Sequence, residues 1–129
     1  MKLSANLGLL WSELPLLDRV YKAKEKNFDA IEFQFPYEVD ANKLKKAIDK
    51  INLPIIGINT IKGDVSKGDN GLNAIPSKVQ EARVAIDQAI EYAKVIGSKN
   101  IHFMCGITEQ NHNSLKTLVE NLQYAVSQL

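Results

Sequence analysis

The chain repeats one arrangement four times: a short β-rich run, a polar or Gly/Pro-marked loop, and an amphipathic helix. The strand candidates are Lys2–Asn6, Ala30–Phe35, Ile55–Asn59 and Asn100–Cys105. The helix candidates that alternate with them are about Leu14–Lys26, Asp40–Ile51, Ser77–Ile96 and Asn113–Leu129. Strands that alternate with helices pair in parallel through right-handed crossovers. The order of elements therefore predicts an α/β protein with a parallel sheet.

Length, charge and cysteine content indicate the number of domains, the kinds of partner and the location to expect. With 129 residues we expect a single domain spanning residues 1–129. The 16 basic and 15 acidic residues leave a net charge of +1, which argues against nucleic acid or an anionic membrane as a partner. Cys105 is the only cysteine, so an internal disulfide is impossible, and a cytoplasmic location is expected. We expect Cys105 to be a small core residue rather than a nucleophile.

The third and fourth helices carry the clearest apolar stripes. In the third, the residues at helical spacing are Val79, Ala82, Ile86, Ala89, Ile90, Ala93 and Ile96. In the fourth, they are Leu115, Leu118, Val119, Leu122, Ala125, Val126 and Leu129. Ser77 with Gln80 predicts a capping box, and Gly97 a left-handed helix end. Asp40 is expected to be the N-cap of the second helix.

Two architectures fit the alternation, an open doubly wound sheet and the wall of a barrel. Strands covered by helices on both faces read as continuous apolar runs. These strands alternate instead. The residues of one parity, expected to face the helices, are Leu3, Ile31, Phe33, Ile56, Ile58, Ile101 and Phe103. Those of the other parity are Ser4, Asn6, Glu32, Gln34, Gly57, Asn59, His102 and Met104. The polar second face favours the inside and mouth of a barrel.

The same parity places polar side chains at the strand ends, where the loops of a parallel barrel bind substrates. The candidates are Asn6, Glu32, Gln34, Asn59 and His102. These groups either line a pocket or hydrogen-bond one another and buried water. Considered by itself, His102 is compatible with three roles: a metal ligand, a hydrogen-bond donor to a substrate oxygen, or an interior histidine with its hydrogen bonds satisfied. One Glu and one His are too few for a hard-cation site.

The long loop Thr60–Pro76 is the other candidate binding element. Loops of this length within compact domains are usually lids or binding loops. Its charged residues, which either reach an anionic or hydroxylated substrate or remain solvated, are Lys62, Asp64, Lys67 and Asp69. Trp11, just after the first strand, fits either a pocket wall or the core.

Several strings resemble the hydroxypyruvate isomerase family, one of the xylose-isomerase-like barrels, in order and spacing. They are "SANLGLLW", "FDAIEFQFPY", the N-x-x-x-GD of Asn59–Asp64 with the following "GDNGL-x-x-IP", "IHFMCG" and "LVENLQYA". The resemblance runs from Leu3 to Leu129. It implies a parallel (β/α)4 segment, the N-terminal half of a TIM (β/α)8 barrel. A whole barrel takes about 250 residues.

The resemblance also implies a reaction. The family interconverts hydroxypyruvate and tartronate semialdehyde, or a close analogue, through an enediolate held by a divalent metal, Mg²⁺ or Mn²⁺. Its metal ligands and catalytic glutamates come from the fifth to eighth strands. We therefore expect no catalytic and no metal-binding residue in this chain, and no activity from the chain alone. The substrate-binding positions that the resemblance implies are Asn6, Trp11, Glu32, Asn59, Asp64 and His102.

Three functions remain open on the sequence. The chain is half of an isomerase that takes a small hydroxy or keto acid. It is completed by a second copy, by a separately encoded C-terminal half, or by sequence that is missing because the reading frame is truncated. Alternatively, it is a non-catalytic module that self-associates and binds a sugar acid or a partner chain. A third reading is an independent flavodoxin-like monomer.

Overall fold

In the computed structural model, which describes residues 1–129, strands and helices alternate as expected. The strands are β1 (Ser4–Asn6), β2 (Ala30–Glu32), β3 (Ile58–Asn59) and β4 (Ile101–His102). The helices are α1 (Leu16–Glu25), α2 (Ala41–Ile51), α3 (Val79–Ile96) and α4 (His112–Ser127). Short 3-10 turns lie at Pro36–Glu38, Val65–Lys67 and Pro76–Lys78. The α/β prediction is confirmed, and each strand is shorter than its predicted range.

The residues divide into two compact units. The first contains Met1–Asn59 and Tyr92–Ile101, and the second contains Thr60–Glu91 and His102–Leu129. Helix α3 contributes residues to both. No helix in either unit combines the length and apolarity that crossing a bilayer requires.

In the first unit, the strands are parallel and successive strands are neighbours. Ser4, Ala5 and Asn6 of β1 pair with Ala30, Ile31 and Glu32 of β2. An isolated parallel bridge joins Ile31 to Ile55, just before β3. The Ile58 amide donates to the carbonyl of Asn100, which precedes β4, at 3.1 Å. The parallel pairing expected from the alternation is therefore present, in two two-stranded sheets, β1 with β2 and β3 with β4.

The pairing between β2 and the third strand contains a bulge. Ile31 is paired with Ile55, and its amide donates to the Pro54 carbonyl at 3.0 Å. Two residues later, the Phe33 amide donates to the Gly57 carbonyl at 3.0 Å, which places Phe33 opposite Ile58. The third strand thus has one extra residue between the two pairings, as in a β-bulge.

The bulge corrects the predicted parity of the third strand. Ile55 and Ile58 are both buried, whereas Ile56 is 37% exposed and does not face the helices. Strict alternation fails because the extra residue shifts every later side chain to the opposite face. Leu3, also expected to face the helices, precedes β1 and is exposed as well.

The core of the first unit is built as the periodicity predicts. Its strands contribute Ala5, Ile31, Phe33 and Ile58, all buried. Helices α1, α2 and the end of α3 cover them with Leu16, Val20, Ala23, Leu44, Ala47, Ile48, Ile51, Ala93 and Ile96. The burial of this apolar surface supplies the main favourable free energy of folding.

The helix ends follow local chemistry. The Asp40 carboxylate accepts the Lys43 amide at 2.9 Å, so the predicted N-cap of α2 is confirmed. Gly97 ends α3 with φ of 78° and donates its amide to the Ala93 carbonyl, as predicted. Ser77 does not immediately precede α3, because Pro76 begins a 3-10 turn that contains it. The N-cap of α4 is Asn111, which shares a capping box with Ser114.

The two predicted helix stripes have different outcomes. The α3 stripe is confirmed, since Ala82, Ile86, Ala89, Ile90, Ala93 and Ile96 are all buried. The residues of the predicted α4 stripe do lie at helical spacing along a helix, but most of them are not buried. The side chains of α4 that are buried are Ser114, Thr117, Asn121 and Ala125. Leu115, Val119, Leu122, Val126 and the following Leu129 are exposed. In this helix the polar and small residues, rather than the aliphatic ones, pack inward.

Candidate functional site

Asn6 and Glu32 are neighbours at the ends of the first two strands. They occupy paired positions in parallel register, so their side chains project from the same face of the sheet. The Asn6 side-chain oxygen accepts the Gly8 amide at 3.0 Å, which orients the amide group of Asn6. Glu32 is half-buried, and its carboxylate forms no hydrogen bond or ion pair with another residue. This pair therefore presents an amide beside an unpaired carboxylate.

A small cleft lies where the loops after these two strands meet. It measures about 140 Å³ and is lined in part by Gly8, Arg19, Gln34 and Glu38. Gly8 is required here because a β-carbon on it would lie 2.6 Å from Cγ of Gln34. The close approach of Gln34 to the backbone brings the two loops together.

Asn59, the end of β3, is held by a tyrosine. The Tyr37 hydroxyl donates a hydrogen bond to the Asn59 carbonyl oxygen. Burial, with a smaller contribution from Tyr92, raises the pKa of Tyr37 above its ordinary value, because burial disfavours the charged phenolate. The Asn59 side chain is half-buried and has no partner within the chain.

Tyr92 supports this arrangement from α3. Its ring meets that of Tyr37 edge-on, with centroids 5.2 Å apart. Its hydroxyl lies 2.9 Å from the Pro36 carbonyl and 2.7 Å from that of Val39. Burial raises the pKa of Tyr92 to about 12. Neither tyrosine stands out in the sequence, where both read as ordinary half-buried aromatics.

Trp11 lies in the loop after β1 and packs against Phe28, with ring centroids 6.1 Å apart. Its φ of 56° is left-handed, which is unusual for a large side chain. The Arg19 guanidinium holds this loop by donating to the carbonyls of Leu7, Ser12 and Leu14 at 2.7–2.9 Å. Arg19 is a structural residue that the sequence analysis missed, because its three partners are backbone atoms.

Asp64 lies in the second unit, and its carboxylate is bound by neighbouring residues of its own loop. Its carboxylate accepts the Ser66 amide at 3.1 Å and the Ser66 hydroxyl at 2.6 Å, and it pairs with Lys67 at 3.1 Å. The hydrogen bond from Ser66, followed by that from Lys67, lowers the pKa of Asp64. Asp64 thus caps the 3-10 turn Val65–Lys67.

A second ion pair closes the same loop. Lys78 lies 2.6 Å from the Asp69 carboxylate, whose side chain is only 8% exposed. The Asp69 carboxylate also accepts the Asp64 amide at 2.9 Å. The hydrogen bond that Lys78 donates to Asp69 lowers the pKa of Asp69 and raises the pKa of Lys78. Asp64, Lys67 and Asp69, which the sequence singled out, therefore pair within this unit.

The base of the loop is anchored by a buried polar cluster, Thr60, Asn73 and Asn121. The Asn73 side-chain nitrogen donates to Thr60 Oγ1 at 3.2 Å and to the Met104 carbonyl at 2.9 Å. Thr60 Oγ1 also accepts the Met104 amide at 3.0 Å. The Asn121 side-chain nitrogen donates to the Asn73 carbonyl at 2.9 Å. All three residues are at most 1% exposed.

This cluster is the main feature that the sequence analysis missed. Asn121 interrupts the leucines of α4, and an asparagine facing inward from a helix needs a specific partner. That interruption was the available signal. The side-chain oxygens of Asn73 and Asn121 are buried without partners in the chain.

His102 and Cys105 lie at and after β4. The His102 side chain is exposed, while its carbonyl accepts the Thr60 amide at 2.9 Å. Cys105 is also exposed, which corrects the expectation of a core cysteine. Its backbone instead pairs with Gly71 in an antiparallel bridge, because the chain turns outward into the next loop here.

The side chains of this chain do not fit a divalent cation. No group of three or more His, Cys, Asp or Glu residues is arranged to hold one. Asn6 and Glu32, which are paired in the sheet, offer only one carboxylate and one amide to a cation.

Curated relatives match nearly the whole chain. A 2-oxo-tetronate isomerase from Haemophilus influenzae is 36% identical over 127 residues, covering 96% of this chain and 49% of that protein. A hydroxypyruvate isomerase from Escherichia coli is 36% identical over 132 residues, covering all of this chain and 51% of that protein. The chain spans about half the length of the curated relatives it matches.

Two solved structures match in the same proportion. A structure described as AP endonuclease, family 2, from Brucella melitensis superimposes with a TM-score of 0.91 at 35% identity, over all of this chain and 51% of that one. The 3-keto-D-glucoside 4-epimerase from Escherichia coli superimposes with a TM-score of 0.69 at 20% identity, a likeness of fold alone. The profile of the Xylose isomerase-like TIM barrel family matches residues 20–129. The chain belongs to this family of TIM barrels and matches about half of a family member.

Proposed function

We propose that this chain forms half of a sugar-acid isomerase, acting on hydroxypyruvate, a 2-oxo-tetronate or a close analogue. The observation that carries the proposal is the match of nearly the whole chain to relatives named for these isomerisations, at 33–36% identity. The unpaired carboxylate of Glu32 beside the Asn6 amide supports it. A half-buried carboxylate without a protein partner is costly unless a ligand or water satisfies it.

The residues of this chain bind and orient substrate rather than move its protons. The Asn6 amide is aligned by its bond from Gly8 and is suited to a substrate hydroxyl or carboxylate oxygen. Glu32 accepts from a substrate hydroxyl. Asn59, whose carbonyl accepts from Tyr37, is a further proposed substrate-binding residue of the first unit. His102, in the second unit, is proposed as a substrate-binding residue from the family resemblance alone.

Trp11 and Asp64 have supporting roles in this proposal. Trp11 shapes the loop after β1 through its packing on Phe28. Asp64 keeps its loop folded through Ser66 and Lys67, and we propose this loop as a binding loop of the second unit that does not use this carboxylate. A divalent metal, Mg²⁺ or Mn²⁺, would stabilise enediolate charge when bound. Its ligands and the catalytic carboxylates belong to the complementary half, in a cytoplasmic enzyme.

The test is an isomerase assay on the chain combined with the segment of the Haemophilus influenzae isomerase that the match leaves uncovered. Interconversion of hydroxypyruvate and tartronate semialdehyde, and of 2-oxo-tetronates, is measured with Mg²⁺ or Mn²⁺. We expect turnover by the combination and none by either part. Glu32→Gln should raise KM about tenfold or more, the effect of losing a charge-assisted hydrogen bond.

The matched control is Glu13→Gln, which removes an exposed carboxylate from the first unit and should leave KM unchanged. Absence of turnover by a well-formed complex with every substrate would refute the isomerase. Turnover by the isolated chain would refute the division of roles between the halves. Substrate binding without turnover would favour the non-catalytic module.

A further inference from the structure

Gln34 is a half-buried residue just after β2, and its backbone is fixed from the third strand. Its carbonyl accepts the Asn59 amide at 3.0 Å. The buried Ile31 and Phe33 continue the alternation of β2 beyond Glu32. Gln34, two residues after Glu32, therefore lies on the same face of the sheet as that carboxylate.

The side chain of Gln34 rests against Gly8, in the loop after β1. A β-carbon on Gly8 would lie 2.6 Å from Cγ of Gln34 and 2.9 Å from its Cδ, the carbon of the amide group. The Gly8 amide also donates to Asn6 Oδ1 at 3.0 Å. One glycine thus contacts the side chains of both Asn6 and Gln34, so the two primary amides are neighbours within the first unit.

The polar atoms of Gln34 have no partner within the chain. The two strands that flank β2 both belong to this chain, and neither offers Gln34 a side-chain partner. An apolar side chain of the same length would fill the space beside Gly8 equally well, so packing does not account for an amide here. Half-buried polar groups are normally satisfied by protein, water or a ligand.

The spacing of the polar groups along β2 relates to the length of a bound acid. Successive same-face positions of a strand are about 6–7 Å apart, so an acid held by Asn6 and Glu32 reaches Gln34 only if it is long enough. Hydroxypyruvate has three carbons. A 2-oxo-tetronate has four, and it carries a terminal hydroxyl that hydroxypyruvate lacks. A primary amide suits a hydroxyl, because both groups donate and accept.

We propose that Gln34 is a specificity-determining residue whose side-chain amide binds the terminal hydroxyl of a four-carbon oxo acid. This proposal rests on the proposed function. Asn6 and Glu32 bind groups that both acids share, whereas Gln34 binds the hydroxyl found only in the longer one. A site that hydrogen-bonds a hydroxyl discriminates against a ligand without it, because its own polar group then stays unpaired. The chain therefore favours 2-oxo-tetronates over hydroxypyruvate.

The experiment compares kcat/KM for a 2-oxo-tetronate and for hydroxypyruvate in the combined enzyme described above, with Mg²⁺ or Mn²⁺. Gln34→Met keeps the length of the side chain and removes both of its polar groups. We expect kcat/KM for the 2-oxo-tetronate to fall about five- to tenfold, mainly through KM, because one uncharged hydrogen bond to the substrate is lost. The value for hydroxypyruvate should stay within about twofold, since it loses no bond. The matched control is Gln88→Met, an exposed glutamine of α3, which should change both values by less than about twofold.

An equal loss for both acids, or no loss for either, overturns the proposal, because the Gln34 amide is then only solvated. A wild-type enzyme that accepts hydroxypyruvate alone also overturns it, while the proposed function stands. If the combination turns over neither acid, the proposed function fails, and calorimetric titration of the chain with each acid decides the role of Gln34. Tighter binding of the 2-oxo-tetronate that is lost in Gln34→Met supports the role, and equal affinities or no binding overturn it.

Discussion

Replacing Asn73 by aspartate tests whether the buried polar cluster anchors the loop of the second unit. The side chain is 1% exposed, and its nitrogen donates to Thr60 Oγ1 and to the Met104 carbonyl. Asn73→Asp keeps the size of the side chain and leaves no cavity. It removes both donors and turns an acceptor towards two oxygens. The cost is therefore electrostatic.

The magnitude follows from the pKa of the introduced carboxyl group. Burial without a donor raises a carboxyl pKa by roughly two to three units. Each unit corresponds to about 1.4 kcal/mol, so we expect a loss of about 3–4 kcal/mol in the free energy of unfolding near pH 7. Because the folded-state pKa is raised, the penalty is complete above that pKa. It shrinks as the pH falls towards the ordinary value of about 3.9.

Urea denaturation followed by circular dichroism, at about pH 7 and about pH 4.5, measures this difference between variant and wild type. A residual loss of about 1 kcal/mol should remain at the lower pH, since a protonated carboxyl restores only one donor. The matched control is Asn70→Asp, an exposed asparagine of the same loop, with an expected change within about 0.5 kcal/mol. A loss below about 1 kcal/mol near pH 7, or one independent of pH, would refute the reasoning.

Ile58→Ala should cost about 2–5 kcal/mol and Ile56→Ala about 0.5 kcal/mol or less, because the bulge buries only the former; equal losses in chemical denaturation would contradict the bulge. Asp69→Asn should remove a stabilisation that is present above the ordinary carboxyl pKa of about 3.9 and is lost as pH falls through the lowered folded-state pKa. Acid titration of both forms checks this, and identical profiles would exclude the Asp69–Lys78 pair as a stabilising contact. Gly71→Ala should destabilise strongly, because φ is 115° and a β-carbon would lie 2.6 Å from the backbone of Gly106; an unchanged melting temperature would be incompatible with that geometry.

The main elements follow from local sequence. Helical spacing of apolar residues located all four helices, and Asp40 and Gly97 mark two of their ends because capping depends on residues close in sequence. The strands were located but overextended, since a strand ends where its neighbour stops pairing. That neighbour lies tens of residues away.

Some features of the predicted site residues follow from local sequence, and others depend on residues distant in the sequence. The register of β1 and β2 brings Asn6 and Glu32 together, as the common parity predicted. Asp64 was predicted as part of a covering loop, and its bonds to Ser66 became visible only with the turn that it caps. The Thr60, Asn73 and Asn121 cluster joins two residues of the long loop to one residue of α4, and this contact depends on residues that are far apart in the sequence.

By itself, the sequence determined the βα alternation, the helix stripes and the polar strand ends, because each depends on periodicity within one element. Tertiary structure decided which surfaces became buried. In α4 the face of Ser114 and Asn121 is buried rather than that of Leu115 and Leu122. Ser114 donates to the Glu109 carbonyl just before the helix, and Asn121 donates to the distant Asn73 carbonyl. In the third strand tertiary structure chose Ile55 and Ile58, because pairing with β2 inserts a bulge. A hydrophobic period shows which face can be buried, while the partners of the element determine which face is.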